Sequence, residues 1–313
     1  MTPILTVTLN PALDLSTHCP QVTPGPKLRC GPETAEPGGG GVNVARAIVQ
    51  LGGAARALVA LGGPTGQALA GLLRARNIDL LEVPAPAETR HSFAVTDESS
   101  GDQYRFVLSG PSWTTSQLDK VLDTLTAEAS KGTLIVFSGS MPPGCPTDWI
   151  SHACGHLVGR RVVVDTSGHH LAHQATGPQP CPFVLRMDSA EAQDLSGSTL
   201  ATRQESAAFA QELRKRGAAE LVIIARGKDG SVMAGADGLW HVSAANETVI
   251  SAIGAGDSFV GGFVMALAQG APPPEALRRG AAAAAAAVLS PGTQLCLPED
   301  YARLLPLTVL TPI

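Results

Sequence analysis

Short apolar runs rich in β-branched residues recur along this chain with helix-length segments between them. That alternation constrains the fold more than any other feature. Ile4–Leu9, Leu134–Ser138, Val162–Asp165, Phe183–Arg186 and Leu221–Ala225 read as strands, and a further strand and turn spans Ala57–Gly66. Helical patterns follow the glycine run Gly38–Gly41, and recur around Gln67–Arg76, near Gln204–Arg216 and over Ala281–Leu289. Such strands, separated by helices, imply a parallel sheet covered on both faces with right-handed crossovers. Ligands of open α/β sheets bind beyond the carboxyl ends of the strands. Asp14, Ser138, Asp165, Asp188 and the Arg226-Gly227 pair all fall at or just after those expected ends.

The bulk properties narrow the class of protein. With 313 residues, 44% of them hydrophobic, the chain can form one large α/β domain, or one domain plus a small accessory element. Few aromatics (4%) and many glycines (34) suit helices packed on a sheet better than an all-β sandwich. A formal charge of −5 gives no footprint for nucleic acid. No apolar run is long enough to span a bilayer, and Met1-Thr2-Pro3 leads straight into the first strand without a targeting signal. The six cysteines are scattered with no Cys-x-x-Cys, as expected of reduced thiols in a cytoplasmic protein. His152 and His156, and the group His169, His170 and His173, lack the Glu or Cys that completes a familiar metal spacing.

One segment departs from the βα alternation. Phe93 and Val95, then Tyr104, Phe106 and Leu108, alternate with polar neighbours around the turn-rich Asp97-Glu98-Ser99-Ser100-Gly101-Asp102. This is a hairpin signal, and a hairpin inserted in a βαβα chain is a candidate lid. Its arms carry Arg90 and Arg105.

Two glycine-rich turns each open a helix. The first, Gly38-Gly39-Gly40-Gly41-Val42-Asn43, can present backbone N–H groups and an amide to a polyol. The second, Gly254-Ala255-Gly256-Asp257, runs into the apolar Ser258–Leu267. Read alone, it supports two accounts. It is an ordinary capped helix start, or it is an anion-binding N-terminus beside a carboxylate that takes a proton from a hydroxyl. Two such turns suit a two-substrate phosphotransferase, in which positioning and electrostatics supply most of the catalysis. No Gly-x-x-x-x-Gly-Lys-Ser/Thr occurs, no Gly-x-Gly-x-x-Gly opens the first βα turn, and no Gly-x-Ser-x-Gly elbow is present. P-loop NTPases, dinucleotide-binding folds and serine hydrolases are thereby disfavoured.

Pro37-Gly38-Gly39-Gly40-Gly41-Val42-Asn43-Val44-Ala45 and Gly254-Ala255-Gly256-Asp257 resemble, in order and spacing, the two signatures of the PfkB (ribokinase-like) carbohydrate kinases. Within the family the chain is most similar to the bacterial type 2 6-phosphofructokinases. The stretches Thr8–Asp14, Lys27–Cys30, Gln103–Phe106 and Ser138–Gly144 carry that similarity, which covers essentially the whole chain. The resemblance implies a ribokinase-like α/β fold, a three-layer αβα sandwich with a mainly parallel central sheet and a small β-sheet lid. It implies a single kinase domain over 1–313, with lid strands inserted at about 12–36 and 88–110.

The resemblance also implies roles for residues. Asp257 becomes the base at the sugar C1 hydroxyl, and Gly254, Ala255 and Gly256 the anion hole for the γ-phosphate. Asp14, Gly39, Gly40, Asn43 and Ser138 hold sugar hydroxyls, and Arg90 and Arg105 clamp the phosphate already on the substrate. ATP lies over Arg186, Asp188, Arg226, Gly227, Gly230 and Ala285, and Lys27 reaches nucleotide in the partner of a homodimer joined through the lid strands. Glu191 holds Mg²⁺ through water. A monovalent cation, K⁺, is held by the backbone at Ser251, Ile253, Ala287, Ser290, Gly292 and Gln294. In Leu185-Arg186-Met187-Asp188-Ser189-Ala190-Glu191 the chain departs from the family pattern. Asp188 stands where an asparagine is usual, and Met187 where a proline is usual. The implied activity is an ATP- and Mg²⁺-dependent sugar-phosphate kinase acting on fructose 6-phosphate. 1-Phosphofructokinase and tagatose-6-phosphate kinase are alternatives on the same scaffold, and a catalytically silent sugar-phosphate-binding regulator is the alternative of another class.

Overall fold

The computed structural model of the chain describes residues 1–243, 248–290 and 294–313. Strand β1 (Ile4–Thr8) leads into β2 (Ala12–Cys19) and β3 (Thr34–Gly38), then helix α1 (Gly40–Gln50), β4 (Arg56–Leu61), α2 (Gly63–Ala75) and β5 (Asp79–Pro84). The hairpin β6 (Arg90–Asp97) and β7 (Gln103–Val107) follows, then α3 (Thr115–Glu128) and β8 (Leu134–Ser138). The middle of the chain runs α4 (Trp149–His156), β9 (Arg161–Asp165), α5 (Gly168–Ala175), β10 (Val184–Met187), α6 (Ser189–Ser196), α7 (Arg203–Arg216) and β11 (Leu221–Ala225). It closes with β12 (Ser231–Gly235), β13 (Gly238–Val242), α8 (Ala255–Ala268), α9 (Pro273–Ala287), α10 (Pro298–Leu304) and β14 (Leu310–Pro312).

These strands form a 10-stranded sheet, ordered β14-β13-β12-β11-β10-β9-β8-β1-β4-β5. The stretch from β5 to β11 is parallel, and β12, β13 and β14 extend it antiparallel. Successive side chains of a strand point to opposite faces, and the core divides accordingly. Leu5, Val7, Ile135, Phe137, Val162 and Val164 pack under α3, α4, α5 and α7 on one face. Ile4, Leu134, Val136, Val163, Val184 and Ile223 pack under α1, α2, α8 and α9 on the other. The expected three-layer αβα sandwich is the observed fold.

The lid is a separate 4-stranded sheet, ordered β3-β2-β6-β7. The hairpin pairs as its alternation predicts, with Phe93 opposite Phe106 and Val95 opposite Tyr104. Two expectations need correction. Asp14 lies inside lid strand β2, opposite Glu36 of β3, and not in a loop after β1. The strand falls within the lid segment of about 12–36 that the family resemblance implies. The turn placed at the end of Ala57–Gly66 is already helix, since α2 starts at Gly63 with a proline in its first turn. A proline there uses a position whose N–H has no intrahelical acceptor.

Candidate active site

A cleft of about 350 Å³ lies between the lid and the start of α8. It is lined by Asp14, Gly39, Gly40, Asn43, Arg90 and Asp257, with Arg105 above them on β7. The sequence-predicted sugar residues therefore converge, apart from Ser138, which reaches the cleft through Asp257. Asn43 Nδ2 donates to Asp257 Oδ2 at 3.0 Å, and Ser138 Oγ donates to Asp257 Oδ1 at 3.4 Å.

Asp257 sits in the first turn of α8, whose cap Gly254 adopts a left-handed φ of 75°. A side chain is strained in that conformation and glycine is not. The first intrahelical bond is donated by Ser258 N to Gly254 O at 2.8 Å. The N–H groups before it belong to the unpaired end of the helix, which carries partial positive charge. Among the described residues the Ala255 N–H makes a long turn contact, 3.4 Å to Ala252 O. Burial pushes the Asp257 carboxyl up to about 7. The nearby Asp165 carboxylate adds to the rise, while the Asn43 hydrogen bond, the Arg186 charge and the Ser138 hydrogen bond oppose it. A carboxyl in that range is suited to take a proton near neutral pH.

Arg186 is brought to the same place. It ends in a 3.0 Å ion pair with Asp165, both side chains largely buried, and lies over the Phe259 ring at 5.9 Å. A Cβ on Gly256 would come within 3.1 Å of Arg186 Nη1. Glycine thus lets the guanidinium lie against the helix end.

At the lid side, burial raises Asp14 to about 6, with the Arg90 and Arg105 charges pulling it back. Arg90 is partly committed to the protein. Its Nε and Nη2 donate to Asn10 O at 3.3 and 3.2 Å, and its Nη1 to Leu108 O at 3.1 Å. It ties the end of β7 to the loop after β1, and retains two of its five N–H groups for a ligand.

On the nucleotide side the expectations separate. Asp188 caps α6 by accepting from Glu191 N at 2.9 Å, and Glu191 Oε2 accepts from Asp188 N at 2.8 Å. Asparagine and aspartate are equally good caps, so the departure from the family residue leaves the local fold intact. Arg226 anchors the loop that carries two of the expected nucleotide positions. Its guanidinium donates to Leu200 O, Ala201 O, Ser206 Oγ and Asp229 Oδ2, which holds Gly227 and Gly230 in their turn. Ala285 is buried in α9. Lys27 is exposed in the loop between β2 and β3, outside the cleft lining. Of the expected cation positions, Ser251 N donates to Val288 O at 3.2 Å and Ser290 N to Ala287 O at 3.2 Å. The Ser290 hydroxyl is buried with no hydrogen-bond partner among the described residues. Ile253 lines the sugar cleft, and Gln294 lines a second hollow beside Arg46. Gly292 lies outside the described residues.

Sequence reasoning gave Arg46 no role and placed Asp165 only at a strand end. Arg46 follows Asn43 by three residues, a spacing that puts two side chains on one helix face, and that signal was available.

A family profile described as pfkB family carbohydrate kinase matches residues 8–300. This chain belongs to the pfkB family of carbohydrate kinases. Among curated proteins, this pfkB kinase is 38% identical over 304 residues to the ATP-dependent 6-phosphofructokinase isozyme 2 of Mycobacterium tuberculosis, covering 96% of this chain and 88% of that protein. Among solved structures, phosphofructokinase-2 from Escherichia coli in complex with potassium superposes with a TM-score of 0.91 at 35% identity, covering 98% of this chain and 99% of that one. The same enzyme in complex with fructose-6-phosphate gives 0.90 at 34% identity, with the same coverage.

Proposed function

We propose that this kinase transfers the γ-phosphoryl group of ATP to O1 of fructose 6-phosphate, giving fructose 1,6-bisphosphate and ADP. The observation that carries the reading is the placement of Asp257. Its carboxylate stands at the positive end of α8 and faces the cleft whose far side holds Arg90 and Arg105. A sugar phosphate anchored by the arginines presents its opposite hydroxyl to the carboxylate. The similarity to enzymes named 6-phosphofructokinase supports the same substrate.

In this reading Asp14 and Asn43 orient the sugar, Asp257 takes the proton from the attacking hydroxyl, and the N–H groups of Gly254, Ala255 and Gly256 receive the charge on the phosphoryl oxygens. Arg186 supplies a cation beside them. The carboxylates of Glu191 and Asp188 are the hard oxygen donors that suit a hydrated Mg²⁺, which would neutralise phosphate charge. The Ser290 hydroxyl, unpartnered among the described residues, and the neighbouring carbonyls suit K⁺ in the same sense, in line with the potassium complex of the Escherichia coli relative. The exposed Phe93, Tyr104, Phe106, Val107 and Leu108 give the lid an apolar surface that a second copy of the chain would cover. Among the described residues no helix is long and apolar enough to cross a membrane.

A coupled ADP-release assay over fructose 6-phosphate, fructose 1-phosphate, tagatose 6-phosphate and unphosphorylated sugars tests the assignment. Fructose 6-phosphate is expected to be the best substrate, and faster turnover of any other would refute it. The clamp makes a separate prediction. Arg105→Ala should raise KM for fructose 6-phosphate by about 10- to 100-fold with kcat nearly unchanged. Arg90→Ala should raise KM and also lower the melting temperature, because it unties β7. An unchanged KM in both variants would exclude the clamp.

A further inference from the structure

We infer that Arg46 is a positioning residue for the transfer reaction, dictating which end of the Asn43 amide faces Asp257. The inference rests on the reading of Asp257 as the base. Arg46 lies in α1 and is 8% exposed. Its Nη1 donates to Asn43 Oδ1 at 2.9 Å and to Pro37 O at 3.1 Å, and its Nη2 lies 3.7 Å from Glu36 Oε1. An amide can turn over, exchanging donor for acceptor. A guanidinium has donors only, so the atom facing Arg46 must be Oδ1. The atom facing Asp257 must then be Nδ2, as the 3.0 Å contact has it.

The consequence falls on the proton. With Nδ2 toward it, the Asp257 carboxylate receives a hydrogen bond in its charged form, the form that acts as base. With the amide reversed, Oδ1 would face a carboxylate oxygen, and two acceptors in contact are relieved only when Asp257 takes up a proton. Arg46 also acts on Asp257 through its charge, in the same direction as through the amide, whereas Ser138 at the end of β8, Asp165 at the end of β9 and Arg186 in β10 are fixed independently of it. Because Pro37 and Glu36 belong to lid strand β3, the same guanidinium also joins the lid to the amide that touches the base.

The test is the pH dependence of kcat. Arg46→Met should lower kcat at neutral pH by about tenfold and move the acid limb upward by about one pH unit. Turnover should return toward the wild-type value at higher pH, and KM for fructose 6-phosphate should change less than kcat. Arg46→Lys keeps a donor for Oδ1 and should restore most of the wild-type profile. A purely structural role would lower the melting temperature and leave the limb in place, and that outcome in a folded Arg46→Met overturns the inference. Should Arg46→Met fail to fold, the Glu36→Gln/Arg46→Gln double variant removes both charges of the Arg46–Glu36 pair together. Glutamine can donate or accept, so it cannot dictate the amide, and the same upward shift is expected. An unmoved limb there also overturns the inference. Asp257→Asn separates the two levels. If it is inactive while the Arg46 variants keep the wild-type profile, only the role of Arg46 falls. If it retains turnover, the base is misassigned and the inference falls with it.

Discussion

Asp257→Asn is expected to lower kcat by about 10³-fold while leaving fructose 6-phosphate binding nearly intact. The amide has the carboxylate's shape: its oxygen can still accept from Asn43 Nδ2, and its NH2 can donate to the Ser138 hydroxyl oxygen, at contacts that are 3.0 and 3.4 Å in the native protein. It cannot take up a proton. The wild-type pH profile supplies the second half of the expectation. The Asp257 carboxyl is raised to about 7 and acts only when deprotonated, so kcat should fall as pH drops through that value and level off above it. The residual turnover of the asparagine variant should lack this limb. Calorimetric titration with fructose 6-phosphate and a pH–rate profile check both halves, and near-normal turnover would remove Asp257 from the base role.

Gly40→Ala should damage the fold and the site together. A Cβ at position 40 would lie 2.5 Å from Gly139 N and from Ser138 Oγ, and 2.6 Å from the Ser138 carbonyl carbon. Two of those three atoms are backbone and cannot turn aside, so the start of α1 must move off the end of β8. Overpacking of this kind costs about 1–3 kcal/mol. The displacement separates Asn43 from Ser138, the two donors that meet on Asp257, so kcat should fall together with the melting temperature. Gly71→Ala in α2 is the control, since its Cβ would meet nothing within 4 Å and alanine favours a helix. Equal melting temperatures for the two variants would show that the close approach of α1 to β8 is not required.

The parallel sheet and the two glycine turns were legible because their signals are local. β-Branched runs mark strands, and glycine spacing marks places where backbone must come close to something. The hairpin was legible from the alternation that puts Phe93 opposite Phe106. Strand β2 was expected only through the family resemblance, which put lid strands at about 12–36. It pairs in parallel with β6, whose residues lie more than seventy positions away, and its short alternation, Leu13 and Leu15 against Asp14 and Ser16, went unread. Helix α3 did carry a signal, with Leu118, Val121, Leu122 and Leu125 on one buried face, and that signal went unread.

In the site, residue type was enough to single out Asp257, Asn43 and Asp14. Direction of contact was not. The family resemblance lays ATP over Arg226, but residue type alone gives no sign that its guanidinium donates to Leu200, Ala201, Ser206 and Asp229. Asp188 stood out as a departure from the family's asparagine, and locally it is a helix cap.

The hydrogen bonds on Asp257 span 214 residues to Asn43 and 119 to Ser138. During synthesis, in which the N-terminal part of a chain emerges and folds first, the sugar-holding half of the cleft can exist well before the base arrives. A nascent or truncated chain ending before α8 holds Asp14, Asn43 and both lid arginines but has no proton acceptor at the hydroxyl. The onset of turnover on the ribosome, or its return after dilution from denaturant, therefore reports closure of these long-range contacts. Burial of the early strands, which fluorescence or circular dichroism would register, can precede it.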